Sequence, residues 1–410
     1  MNQKHPPIPN VQVRHIPDPN PWETLESIPH MPTAGGVMLS LLLVACAAYQ
    51  LPFSPPVYYT LPLLLACILA LLCAVRSVAV GVASGALFVG GYVFGGFSLE
   101  AGLALLCPIL IMGLGAYLIS TYRSRWLVLI SVAAYVVAFV MCRDVTLSLL
   151  SLIAFPAAGI LAHQTMRNQS RVSAICMTTL IYGLCLAFGY VLLARREGVA
   201  ISFDAMATML DATREQIIDA TLSAEPLMQM LDKAYAGTGL ASRDVVVSLV
   251  NLIFNMLPGM VIVLINLMTY TAQLTCTRAY VGTGAKQLLS RTAQLFILSI
   301  PAGLIYIFCL AVSLFSGASN IFTAVVHNLL IILLPGMTLV GIFKLAADLK
   351  HGISRLWMLI LIGCAIIAPY MLILCISFSG ALTTVSRPLV ARMILKNQGK
   401  DGPTDPRDPD

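Results

Sequence analysis

Polar side chains able to bind or react are scarce inside the apolar stretches of this chain, and most of them gather at two places. Asn251, Asn255 and Asn266 flank a Leu257-Pro258-Gly259 triplet, and His327 and Asn328 precede a second, Leu334-Pro335-Gly336. A proline has no N–H to donate and its ring strains the preceding turn, so each triplet frees a backbone carbonyl. Freed carbonyls and amide side chains in an otherwise apolar helix are how membrane carriers hold small molecules or ions. The residues Asn251, Asn255, Pro258, Gly259, Asn266, His327, Asn328, Pro335 and Gly336 are therefore the candidate substrate path. Asn and Pro also kink and pack helices without binding anything, and His327 taken alone reads as a packing or interfacial histidine.

The two places are related. Asn251-Leu-Ile-Phe-Asn-Met-Leu-Pro-Gly-Met-Val-Ile-Val263 aligns with Asn328-Leu-Leu-Ile-Ile-Leu-Leu-Pro-Gly-Met-Thr-Leu-Val340 at an offset of 77, with seven identities in thirteen positions. Arg278 and Arg355 keep that offset, and Phe315-Ser-Gly-Ala318 matches Phe378-Ser-Gly-Ala381 at 63. A tandem repeat of one helix pair is expected, in parallel orientation.

Other chemistry finds no footing. The chain has no His-Glu-x-x-His, no paired carboxylates on one helix face and no phosphate-binding loop, so no catalytic residue is assigned and the protein is read as not an enzyme. Gly81-Val-Ala-Ser-Gly85 imitates a serine elbow, but its surroundings are those of small-residue packing. The eleven cysteines form no Cys-x-x-Cys pair, and no metal site or cofactor is expected.

The elements that must position these residues follow from composition. Hydrophobic residues make up 59% of 410 positions and charged residues 10%, against the ~25% charged residues of a soluble domain. The apolar residues fall into blocks near the ~20 residues a helix needs to cross hydrocarbon, where backbone groups must be satisfied within the helix. Ten-residue alternating segments are missing, which excludes a membrane β-barrel. The expected class is all-α, a polytopic transmembrane helical bundle of about eleven spans (ten to twelve), at about 35–51, 57–75, 77–97, 101–120, 126–142, 145–163, 173–194, 245–273, 292–316, 320–343 and 357–380. Gly81-x-x-x-Gly85 and Gly91-x-x-x-Gly95 suit close helix packing.

The net charge of +6 comes from basic residues set singly at span ends, which reads as topology and not as a nucleic-acid surface. Arg76, Arg123, Arg125, Arg167, Arg171, Arg278, Lys286, Arg291, Lys344, Lys350 and Arg355 share one side, against Arg143 in the short loops of the other. Lys and Arg are retained inside, so the N-terminus is cytoplasmic. Eleven spans place Arg387, Arg392, Lys396, Lys400 and Arg407 outside, against the rule; an even count removes the conflict.

Five regions result. Residues 1–34 hold eight prolines and are a disordered cytoplasmic tail; 35–171 form a six-helix membrane unit. A connecting span and an external amphipathic loop occupy 172–244, the duplicated helix pair 245–385, and a basic, disordered tail 386–410. Within the loop, Phe203, Met206, Leu210, Ile217 and Thr221 recur at helical spacing behind a Ser202 cap, and a second short helix runs from Pro226 to a Gly237 stop. Six acids against three bases between 198 and 243 make it net acidic. It is either a lid over a substrate path or a packed spacer.

The order of a six-span region, a helical insertion, a Leu-Pro-Gly span ending in Arg, and an Asn-x6-Pro-Gly-Met span over Asn328 to Lys344 resembles the YybS-like bacterial membrane proteins over about residues 33 to 395. The first six spans of such proteins are similar to the substrate-binding subunits of energy-coupling-factor transporters. Ala45-Cys46-Ala47-Ala48-Tyr49 departs from the Ala-x-x-x-Ala face those subunits offer an energising partner. The family has no established activity, so the resemblance assigns no site residue. The expected setting is the bacterial plasma membrane, and the expected partners are the lipid bilayer, a small-molecule substrate and a membrane-protein partner. Transport predicts a polar mid-membrane cavity of ~300 Å3 or more; the alternative, a scaffold recruiting envelope partners through 195–244, predicts a solid apolar bundle.

Overall fold

A computed structural model describes residues 33–49, 57–122, 125–167, 169–198, 203–235, 241–282, 296, 298–315, 321–351 and 369–398. Among them there is no strand. The N-terminal tail to residue 32, Arg123, the Ser202 cap, the Gly237 stop, Lys286, Arg291, Ser316 to Ala318, Arg355, Cys364 and the last twelve residues lie outside this description. So do most of 283–297 and all of 352–368.

Fourteen helices are described: α1 (Thr33–Tyr49), α2 (Val57–Ala74), α3 (Val78–Phe94), α4 (Leu99–Tyr122), α5 (Arg125–Cys142), α6 (Val145–Leu150), α7 (Ala154–Met166), α8 (Arg171–Arg196), α9 (Phe203–Leu222), α10 (Glu225–Tyr235), α11 (Ser242–Gly282), α12 (Ile300–Phe315), α13 (Ile321–His351) and α14 (Pro369–Gln398). Six segments are long and apolar enough to cross a membrane: α4, α5, Val145–Met166, α8, α11 and most of α13. Parts of α1, α2, α3, α12 and α14 are shorter apolar helices.

The helix expected at 145–163 is broken. Pro156 has no N–H and crowds the carbonyl four residues back, and the chain answers with tight i→i−3 bonds: Leu152 N–H to Leu149 O at 3.1 Å, Ile153 to Leu150 at 3.3 Å, Phe155 to Leu152 at 3.1 Å. Asp144 starts α6 as its N-cap, its Oδ1 accepting from the amides of Thr146 at 2.8 Å and Leu147 at 3.3 Å. The last helix also runs past the 385/386 boundary expected from sequence, to Gln398.

One large core fills the N-terminal half. Helix α4 is buried almost throughout, packed against α1, α3, α7 and the second half of α11. Around this core, α2, α5 and α8 present Leu65, Leu69, Val132, Leu180, Leu184 and Phe188 outward. Such a surface is a liability in water and is what lipid requires. Of the two glycine pairs in α3, Gly91 and Gly95 lie against Ala101 of α4, whereas Gly81 and Gly85 face open space.

A smaller core, around Tyr306, Met337 and Ala381, joins α12, α13 and α14. The α13–α14 contact brings backbones together: a Cβ on Gly341 would lie 2.0 Å from the Ile376 carbonyl oxygen, and one on Gly380 would lie 2.0 Å from that of Met337. Only glycine fits at these two positions. The acidic loop is helical, α9 and α10, and rests on α11, with Ser242 donating to the Asp232 carboxylate.

Candidate functional site

The two Leu-Pro-Gly triplets lie inside α11 and α13, which pack against each other. Both helices continue through their triplets, so the breaks expected at Pro258-Gly259 and Pro335-Gly336 do not interrupt them; at the first, Asn328 of α13 reaches onto the turn of α11 that follows Asn255. The Gly259 N–H donates to Asn328 Oδ1 at 2.6 Å, and Asn328 Nδ2 donates to the Asn255 carbonyl at 2.7 Å and to its own helix at Ala324 O, 2.8 Å. Gly259 and Asn255 are residues i and i−4, the pair that closes one turn of an unbroken α-helix. One carboxamide, a donor and an acceptor on one carbon, thus engages both members of that pair. The approach needs a glycine: a Cβ on Gly259 would stand 2.7 Å from Asn328 Oδ1 and 3.2 Å from Asn328 Cα.

At the second triplet the equivalent space is a cavity of about 160 Å3. Ile332, Pro335 and Gly336, which align with Asn255, Pro258 and Gly259, form one wall. Val172, Ile175 and Cys176 of α8 and Asn266 and Tyr270 of α11 form another, and Phe296 and Leu298 close it. A Cβ on Gly336 would meet only the Leu298 side chain, at 3.2 Å, with Phe296 at 3.9 Å. Tyr270 and Phe296 meet edge to face, ring centroids 6.1 Å apart. The cavity is smaller than the ~300–1,000 Å3 of drug-sized sites, and close to the ~150 Å3 that accommodates a benzene ring. Its lining is mainly apolar, so it is neither the large polar chamber nor the solid bundle that the two functional expectations describe.

The nine predicted residues therefore divide. Asn255, Pro258, Gly259 and Asn328 belong to the plugged turn; Asn266, Pro335 and Gly336 line the cavity. Asn251 is half-buried on α11, one turn before Asn255, and is not among the residues that line the cavity. His327 Nε2 lies 3.1 Å from Ser313 Oγ and ties α13 to α12. Sequence reasoning passed over Tyr270 and Phe296, since aromatic residues near span ends ordinarily mark the interface. The signal was present for Tyr270, which follows Asn266 at i+4 on the same helix face.

Away from this site, Asp144 also takes an ion pair from Arg196 Nε at 2.7 Å. Partial desolvation raises its carboxyl, but the amides of Leu147 and Thr146 and the Arg196 guanidinium outweigh that and hold it below the ordinary carboxylate value. Cys46 and Cys67 approach to 3.9 Å between sulfurs, both buried as free thiols. Among the described residues no cluster of three metal-ligating side chains occurs. Comparison with family models, with curated proteins and with solved structures finds no match for this chain.

Proposed function

We propose that this chain is a transport-related protein of the bacterial plasma membrane that binds a small molecule at the second Leu-Pro-Gly triplet, between α8, α11 and α13. The observation that carries the reading is the asymmetry of the triplets: Asn328 engages the first, and the aligned residues of the second wall a cavity. Six long and five shorter apolar helices support a path of eleven spans with the N-terminus inside. The two helices that carry the related triplets pack against each other, each continuous through its Leu-Pro-Gly, and support a site between repeated elements as in carriers. The YybS-like resemblance fits the same order of elements.

The test uses mass spectrometry of small molecules retained by the purified protein. Gly336→Leu fills the cavity from one wall and Asn266→Leu removes the side-chain amide among its described lining residues; both are expected to lose the retained molecule while keeping the folded protein. Unchanged retention in both variants would overturn the proposal. Asn328 is the wrong residue to substitute for this purpose, because its amide is committed to α11.

A further inference from the structure

The walls of the cavity narrow what it can hold. Its volume, about 160 Å3, is close to the ~150 Å3 that seats one benzene ring, so a single ring fills it. Among its described lining residues none carries a charge, and an ionised group placed there would lose its hydration without a counterion. The occupant is therefore small and neutral. Two of the lining side chains are aromatic: Tyr270 and Phe296 stand edge to face at an interplanar angle of 86°. Rings attract one another in edge-to-face or offset-stacked contact beyond what their buried area supplies, and this pair presents both an edge and a face to a third ring.

Asn266 adds one polar handle. It lines the cavity, and the bond it takes part in, from Thr269 Oγ1 at 3.1 Å, falls on its backbone carbonyl. Among the described residues its carboxamide has no partner, whereas that of Asn328 makes three bonds. An amide in a membrane helix with nothing to bond is costly. Asn266 and Tyr270 lie one turn apart on the same face of α11, the spacing at which helix side chains are neighbours, so a ring set against Tyr270 brings a substituent beside the amide. We infer that the cavity binds a neutral, monocyclic aromatic molecule carrying one hydroxyl or carbonyl group, its ring against Tyr270 and Phe296 and its polar group on the Asn266 carboxamide, which can both donate and accept. This rests on the cavity being a binding site, as proposed above, and adds the class of ligand. A lipid acyl tail would use neither the ring pair nor the amide.

The probe is para-fluorophenol, followed by fluorine NMR with the full chain in detergent and with protein-free micelles as reference. A saturable protein-bound signal is expected. Unlabelled phenol should displace it about fivefold more effectively than cyclohexanol, which is of similar size but has no aromatic face, and more than about tenfold better than benzoate, which is charged. Asn266→Leu should weaken para-fluorophenol about fivefold, the equivalent of one hydrogen bond, and bind fluorobenzene, which lacks the hydroxyl, no less tightly than wild type. Binding of fluorobenzene also shows that the variant folds. Gly336→Leu should lose both probes. No saturable signal, displacement by cyclohexanol equal to that by phenol, or an Asn266→Leu variant that binds para-fluorophenol like wild type overturns the inference. If in that case Gly336→Leu still loses the molecule retained through purification, the cavity remains a binding site and only the ligand class fails. If Gly336→Leu changes the retention of nothing, both readings fail.

Discussion

The same Leu-Pro-Gly triplet is treated in opposite ways in α11 and α13. In α11 the turn that follows Asn255 is engaged by a side chain from the neighbouring helix, Asn328, and Gly259 is buried beneath it. In α13 the turn borders a cavity on one side, and just beyond it the backbone is pressed against α14 through Gly341 and Gly380. A proline in a membrane helix must have its freed groups re-satisfied or facing a cavity. This protein uses one solution at each triplet. The same triplet therefore does not make the same site: the helix that extends Asn328 engages the turn of the other, and its own triplet borders the cavity.

The largest effect is expected where backbones meet. Gly341→Leu or Gly380→Leu has no room at all, and should cost more than about 3 kcal/mol, the upper end of ordinary overpacking, read as loss of folded protein in detergent. Gly81→Ala, in open space, should leave the melting temperature unchanged or slightly raised. Next comes the plug. Asn328→Ala removes both bonds that join α13 to the Gly259 N–H and Asn255 C=O, at about 0.5–1.5 kcal/mol each, while Asn328→Asp, which accepts but cannot donate, should fall between. A wild-type melting temperature in Asn328→Ala would remove the distinction between the triplets.

The third comparison pits equivalent glycines against each other. Gly259→Ala must move α13 and should destabilise by about 1 kcal/mol or more, whereas Gly336→Ala meets a mobile leucine and should barely register in thermal unfolding. The smallest effect lies outside both triplets. Asp144 titrates below its unfolded value of 3.8, so its stabilising contribution is complete above about pH 4 and disappears as pH falls through the lower folded pKa. Melting between pH 6 and pH 3 should show this loss in wild type, and an Arg196→Gln variant should show less of it. Because Asp144 shares no partner with Asn328, the loss should be equal in Asn328→Ala.

Much of this was legible beforehand. Pro258-Gly259, Pro335-Gly336 and Asn328 stood out because polar and helix-breaking residues are costly in apolar helices and so are conspicuous there. Pro156 carried the signal for the break between α6 and α7, but a continuous apolar stretch masked it: hydropathy measures whether a segment suits lipid, not whether it is one helix.

By itself the sequence determined that the chain is helical, apolar in long blocks and interrupted twice by the same motif, because backbone hydrogen bonding and lipid solvation act on each segment locally. Only the tertiary structure decided that Asn328 serves Gly259 and not its own triplet, and that Asn266 and Tyr270 of α11 line one cavity with Pro335 and Gly336 of α13. Those outcomes depend on which helix lies beside which, and in what register. Two copies of one motif are indistinguishable until packing makes their surroundings differ.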